Sequence, residues 1–257
     1  MNTTLAVTRI GHACQLIEFG DTRVLTDPWF TQKATYYPGE PVAATVSELG
    51  RIDALVISHE HYDHCDLDAL VAGGFDLDTP VIGPGTVAEL ARQRGFRNVQ
   101  AIESWESATT GDLTVTATPG KHGVHEVTFV LQAGGRSVFF GGDSLRVPEL
   151  DEIPARFGQV DLALLPTNGL CLRPLNMRQV VMNAEEAAAL TAVLNPVMAI
   201  PQHYAFHSGQ LGDRMITRGN QDPRHYADAV ARLAPQVAVR LVLPGTRVEV
   251  PHAALTS

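Results

Sequence analysis

Ala54-Leu55-Val56-Ile57-Ser58-His59-Glu60-His61-Tyr62-Asp63-His64 is the stretch on which the reading of the whole chain turns. Its first five residues form an apolar run of the kind that fills a buried strand. The six that follow hold four groups able to ligate metal: His59, His61, Asp63 and His64. A ligand must be aimed, and the end of a buried strand aims a loop rigidly. His59 and His61, two apart, point the same way if the strand continues. Asp63 and His64 come after a turn and reach a second point nearby. Two ligand pairs in one turn suit two metals about 3.5–4 Å apart better than one. The plainer alternative is a helix start, with Asp66 capping Leu67-Asp68-Ala69-Leu70. A cap needs one oxygen and explains no histidine.

Working outward, other strand ends repeat the arrangement. Residues 113–118 alternate and break at Pro119-Gly120, just before Lys121-His122. Residues 127–131 and 137–140 form a hairpin through Gly134-Gly135, and the second strand runs into Gly141-Gly142-Asp143. Buried runs at 160–165 and 197–200 end at Pro166-Thr167-Asn168-Gly169 and Pro201-Gln202-His203. Singly, His122 or Asp143 is a routine turn residue; beside the central motif both become ligand candidates. Towards the N-terminus, residues 5–10, 14–19 and 23–26 read as strands, and Asp27-Pro28 ends the third. Asp27 serves equally well as a turn initiator. His12 reads as structural and outside the metal constellation, His125 fits no ligand position, and His207 is a weaker candidate.

The remaining segments are less informative. Residues 31–45 read as an irregular loop in which Tyr36 and Tyr37 are candidate pocket walls. Residues 47–51 make one helical turn, and a short helix over Leu67–Ala72 stops at Gly73-Gly74. Gly83, Gly85, Ala88 and Glu103 satisfy a loose dinucleotide-binding fingerprint. An ordinary strand-to-helix turn capped by Thr86 explains them better. Asn183 and Glu186 predict a capping box on a helix over Ala184–Leu194. Asp222-Pro223 opens a last helix to Ala234, and residues 240–243 and 247–250 read as a closing hairpin through Pro244-Gly245. No repeat or linker interrupts the chain, so residues 1–257 are read as one domain.

Composition sets outer bounds. The 257 residues are 45% apolar and carry a formal charge of −9. That balance describes an ordinary globular protein and argues against nucleic acid, whose phosphates demand a basic face. No apolar run approaches the roughly 18 residues of a membrane span, and no signal peptide is recognised. Cys14, Cys65 and Cys171 are odd in number and widely spaced, so a reducing cytoplasm is the expected location. Against this acidic background, Arg173, Arg178, Arg214, Arg218 and Arg224 form a local basic excess. Arg grips carboxylate or phosphate bidentately. The expected partner is thus a small-molecule substrate, with no membrane or nucleic acid; homo-oligomerisation is left open.

The motif has the form H-x-H-x-D-H. It is accompanied by Ile10-Gly11-His12-Ala13, Leu25-Thr26-Asp27-Pro28-Trp29-Phe30, Gly141-Gly142-Asp143-Ser144, Asn168-Gly169, Met182-Asn183-Ala184-Glu185-Glu186-Ala187 and Pro201-Gln202-His203-Tyr204. With these residues the chain resembles the metallo-β-lactamase superfamily of hydrolases over nearly its whole length. The resemblance is nearest to the branch of ascorbate-6-phosphate lactonases and related metal-dependent hydrolases.

The resemblance implies an α/β fold, a four-layer αββα sandwich with its site along one edge of the sheets. It implies His59, His61 and His122 on one metal and Asp63, His64 and His203 on the other, with Asp143 bridging. Asp63 and Asp143 become the catalytic carboxylates, and Asp27 lies beneath the metals to orient a ligand imidazole. Two divalent ions would activate water for attack on an acyl or phosphoryl centre. An imidazole at His61, where the di-iron branch of the superfamily usually has Glu, favours zinc, with manganese as second choice. The resulting expectation is a hydrolase cleaving a lactone, phosphodiester or other ester in a small anionic substrate. Asn168, Arg173 and Arg178 are the candidate substrate-binding residues. The alternatives are a di-iron or nicotinamide-dependent oxidoreductase, or a metal-stabilised binding protein without turnover.

Overall fold

The computed structural model describes residues 3–33, 37–217 and 221–252. Tyr36 and Arg218 lie outside the described residues, as does the side chain of Tyr37. Two seven-stranded sheets carry the architecture. The first runs, edge to edge, Arg247–Val250, Leu5–Gly11, Cys14–Phe19, Thr22–Thr26, Ala54–Val56, Val81–Gly83 and Val99–Ala101. The second runs Ala238–Val239, Met198–Gln202, Leu162–Pro166, Arg136–Phe140, Val127–Ala133, Leu113–Pro119 and Ser107–Thr110.

Strand side chains alternate between faces, and both faces of each sheet are buried. Ala54 and Val56 join Phe129, Val138, Phe140 and Leu164 in the core between the sheets. Leu55 turns the other way, under the helices Leu67–Ala72 and Gly85–Gln93. Phe139 and Leu165 turn outward in the second sheet, under the helices Ala184–Leu194 and Arg224–Leu233. These layers are the αββα sandwich. The Asn183–Glu186 capping box is present, each side chain bonding the other residue's backbone at 3.0 Å. Asp66 caps its helix by accepting the Ala69 N–H at 3.4 Å.

Sheet topology puts the strand ends together. Thr22–Thr26 runs parallel to Ala54–Val56, so Asp27 and the motif leave the first sheet at one edge. Arg136–Phe140, Leu162–Pro166 and Met198–Gln202 are likewise parallel, which places Asp143, Asn168 and His203 at one edge of the second. Leu113–Pro119 reaches that edge after two antiparallel steps and delivers His122. Leu5–Gly11 does the same in the first sheet and delivers His12.

Two sequence expectations are corrected, and a stretch left unassigned takes a defined form. Residues 240–243 form no hairpin with Arg247–Val250. Ala238–Val239 pairs parallel to Met198–Gln202, whereas Arg247–Val250 crosses to pair with Leu5–Gly11. The stretch after Leu170 is a small three-stranded sheet of Arg178–Gln179, Cys171–Leu172 and Ile216–Thr217. Thr86 does not cap its helix: Pro84 occupies the cap position, and Glu103 accepts the Gly85 N–H at 3.1 Å. Gly83 is required for packing, because a Cβ there would lie 2.6 Å from the Ile57 carbonyl. The dinucleotide fingerprint is thus a strand-to-helix turn whose N-terminus is filled by Glu103. Among the described residues the three cysteines are free, and no helix is long and apolar enough to cross a membrane.

Candidate metal centre

The central motif leaves its strand and turns tightly, the His64 and Cys65 N–H groups both donating to the His61 carbonyl at 2.9 and 2.8 Å. His59 Nε2 lies 3.0 Å from His61 Nδ1, and His122 Nε2 lies 3.3 Å from the same atom. Tetrahedral Zn–N bonds of about 2.0–2.1 Å place ligand nitrogens about 3.3 Å apart. The three rings therefore converge as a ligand set. Burial, reinforced by neighbouring imidazoles, holds His59 well below its ordinary pKa; burial also lowers His122. Neutral rings offer lone pairs. His122 Nδ1 sits 2.8 Å from the Val180 carbonyl; donating there leaves Nε2 as the bare nitrogen.

A second set meets around two carboxylates. His64 Nε2 lies 3.2 Å from Asp143 Oδ2 and 3.5 Å from Asp63 Oδ2. His203 Nε2 lies 2.9 Å from Asp143 Oδ2 and 3.9 Å from Asp63 Oδ2. Yet His64 Nε2, His203 Nε2 and Asp143 Oδ1 are buried without a well-formed hydrogen bond. Polar atoms brought this close but not aligned on one another fit a shared cation. Asp143 also lines one cavity together with His61 and His122. Burial alone would neutralise it, but His203 and His64 hold it well below the usual carboxylate range. Against the same burial, Asp143 and Asp63 raise His64 well above an ordinary histidine. His59, His61 and His122, with Asp63, His64 and His203 beside them, form a His/Asp cluster able to hold metal.

His12, expected outside the constellation, lies inside it. Its Nε2 is 3.2 Å from Asp63 Oδ2, and its ring centroid is 4.0 Å from that of His203. Burial and then His203 lower its pKa to about 3, so a neutral ring steadies Asp63. The signal in the sequence is parity: Leu5–Gly11 ends at the same edge as Thr22–Thr26. Glu126 was also missed. It immediately precedes the strand Val127–Ala133, antiparallel to both ligand-bearing neighbours, so that end of the strand meets theirs. Fully buried, Glu126 Oε1 accepts the Asp143 N–H at 2.6 Å and lies 3.5 Å from His59 Nδ1. Gly142 makes room: at φ 50°, a Cβ there would approach Glu126 Oε1 to 2.5 Å.

The floor is Asp27. Its Oδ1 accepts the Ser58 N–H at 2.8 Å, while Oδ2 is 2.7 Å from His64 Nδ1 and 2.7 Å from the Ser58 hydroxyl. His12, Asp27 and His203 have φ of 55°, 32° and 53°. Left-handed backbone at such residues costs roughly 1–3 kcal/mol each and persists where the surroundings fix it.

The proposed substrate residues fare differently. Asn168 is buried, its Oδ1 accepting the Leu170 N–H at 3.1 Å and its carboxamide nitrogen 3.1 Å from His203 Nδ1. It braces the His203 imidazole and does not line the cavity beside the motif. Arg173 Nε donates to the carbonyls of Asp213 and Ile216 at 3.1 and 3.3 Å, and Arg178 is exposed on its short strand. A cavity of about 410 Å³ opens on His61, Asp63, His122 and Asp143, and neither arginine lines it. Arg214 is exposed, and Arg224 pairs with Asp222 at 2.7 Å. His125 is exposed beside Glu103 at 2.7 Å, and His207 lies in the short strand Phe206–His207, outside both ligand sets.

Comparison with known proteins agrees with this geometry. A family model described as a beta-lactamase superfamily domain matches residues 22–204. A UPF0173 metal-dependent hydrolase of Caldivirga maquilingensis is 26% identical over 246 residues, 94% of this chain and 96% of its own. A UPF0173 protein of Pyrococcus furiosus is 30% identical over 199 residues, 77% of this chain and 82% of its own. Igni18, a metallo hydrolase of Ignicoccus hospitalis, superposes with a TM-score of 0.75 at 22% identity, covering 98% of this chain and 100% of that one. CmlA, a diiron β-hydroxylase of Streptomyces venezuelae, gives 0.71 at 22% identity, covering 97% of this chain but 54% of that one. Fold and site together define a metal-dependent hydrolase of the metallo-β-lactamase fold. More narrowly, the chain belongs to the UPF0173 metal-dependent hydrolase family of that superfamily.

Proposed function

We propose that this protein is a di-metal hydrolase that cleaves an ester-type bond, a lactone or phosphodiester, in a small molecule. The observation that carries this reading is Asp143, whose carboxylate meets His64 and His203 and which lines one cavity with His61 and His122. His59, His61 and His122 would hold one ion, Asp63, His64 and His203 the other, with Asp143 shared. When bound, zinc or manganese supplies Lewis-acid polarisation and a water acidic enough to attack near neutral pH.

The chain's own residues do the positioning. Asp27 and Ser58 fix the rings of His64 and His59 from below. Val180 and Asn168 fix His122 and His203 from the side. His12 holds the Asp63 carboxylate, and Glu126 holds the backbone that presents Asp143. The lactonase-like pattern of the sequence supports trying lactones first. A screen of the zinc- and manganese-loaded protein on lactones, carboxylic esters and phosphodiesters tests the reading. Turnover of at least one class by a colourless enzyme supports it. Absence of all three, with a visible absorption band that bleaches on reduction, would favour the di-iron alternative instead.

A further inference from the structure

We propose that the substrate carries a neutral, apolar alkyl or aryl group, seated in the cavity beside the ligand sets; this rests on the hydrolase reading above. Beyond the ligand residues, the walls are Tyr62, Val124, Leu170, Leu172, Val180 and Ile216, with Gly123 and Gly212 completing the surface. Among the described residues, no Lys, Arg, Asn, Gln, Ser or Thr lines it. Along the aliphatic wall, away from the Tyr62 hydroxyl and the ligand groups, a sugar hydroxyl or phosphate gives up its water without a side-chain partner, whereas an alkyl or aryl group gains by leaving water. The volume of about 410 Å³ lies within the range of small-molecule sites.

The wall is built in place rather than left to a loose loop. Val180 N–H donates to the Leu170 carbonyl at 2.9 Å, and Cys171–Leu172 is paired on both sides. The Val180 carbonyl also holds the ring of His122 at 2.8 Å, so the apolar wall and a candidate metal ligand are fixed relative to one another. Arg173 belongs to this construction, because its bonds to Asp213 and Ile216 tie the turn after Leu172 to the helix Gly209–Met215. The same cover exposes Leu175, Met177 and Met215, so apolar surface continues beyond the cavity. Beyond the metal positions, an anionic handle meets no cationic side chain among the described lining residues. The specificity wall is therefore assigned to apolar contact, with Leu172 and Ile216 as its outer residues.

The test uses the zinc-loaded full chain and γ-lactones whose alkyl tail grows from methyl to hexyl, leaving the scissile ring unchanged. The expected result is a rise in kcat/KM of about fourfold per methylene until the cavity fills. The same ring bearing a carboxylate or phosphate in place of the tail is expected to fall at least tenfold below its neutral counterpart. Binding is read separately with the neutral fluorophore N-phenyl-1-naphthylamine, displaced by 1-hexanol. Leu172→Asp and Ile216→Trp should each abolish that binding while leaving zinc content unchanged. Turnover that prefers the charged lactones, or is indifferent to tail length, overturns the substrate class and leaves the hydrolase reading standing. Loss of turnover on every lactone and ester, with fluorophore binding still abolished by both variants, overturns the hydrolase reading and keeps the apolar site. Fluorophore binding untouched by both variants overturns the apolar site itself.

Discussion

Asp27 Oδ2 lies 2.7 Å from His64 Nδ1 and accepts the Ser58 hydroxyl at 2.7 Å, and Ser58 Oγ in turn lies 2.9 Å from His59 Nδ1. One buried carboxylate thus orients a ring from each ligand set. Partners behind a ligand imidazole typically contribute 10–100-fold to metal affinity. Asp27→Asn is expected to weaken both sites by a factor in that range, read by chelator competition. Weakening of one site alone would detach Asp27 from the other set.

Glu126 leads to a contrast between two variants. Burial and then the Asp143 charge raise its pKa well above the usual carboxylate value, which favours its protonated form. Gln is nearly isosteric with that form and keeps an acceptor for the Asp143 N–H. Glu126→Gln should retain both metals, whereas Glu126→Ala should lose at least tenfold in affinity for the ion shared through Asp143. Cobalt substitution reports the difference in its visible spectrum, and thermal unfolding of the metal-free variants verifies the fold. Equal spectra for the two variants would remove Glu126 from the site.

Proton linkage follows from the second ligand set. With no metal bound, His64 and His203 are both raised above the ordinary histidine value, chiefly by Asp143 against the effect of burial. A raised folded-state pKa adds stability below the unfolded value of about 6.5, and that stability is lost as pH rises through the folded value. Metal must displace any protons these rings hold, so affinity should rise with pH and zinc uptake near neutral pH should release protons. Calorimetry in buffers of differing ionisation enthalpy counts them. Release near zero would mean that the two rings are neutral before metal arrives.

Arg173 and Arg178 should separate by structure rather than by charge. Arg173→Ala removes two ties between the turn after Leu172 and its neighbouring helix, so KM should rise several-fold on charged and neutral substrates alike. Arg178, exposed at the rim of its strand, should be silent when changed to Ala. A loss confined to an anionic substrate would restore the anion-gripping role expected from the sequence.

Much of this arrangement could be read from particular residues. The run Ala54 to Ile57 had to be a buried strand, and its histidines had to be aimed by it. Strand partners were harder, because pairing is decided at long range. Residues 240–243 alternate well enough for a hairpin, yet Leu241 and Leu243 are exposed and the next strand pairs with the N-terminus. Ser107–Thr110 has almost no apolar pattern and forms a strand only because Leu113–Pro119 offers it an edge. Asn168 was placed correctly at a strand end, but sequence position does not say that its side chain turns inward to His203. His12 and Glu126 needed strand direction, counted through antiparallel neighbours, before their proximity to the motif could emerge.

The central claim is two ligand sets sharing Asp143, and metal stoichiometry tests it most directly. Protein purified without chelator, reloaded with zinc and freed of excess, should hold two ions per chain by elemental analysis. His203→Ala should reduce this to about one at modest free zinc, since it removes a donor from the second set only. Cys65→Ser should leave two, because burial pushes that thiol up to about 12 and it belongs to neither set. Saturation at one ion in the wild type, unchanged by His203→Ala, would contradict the account.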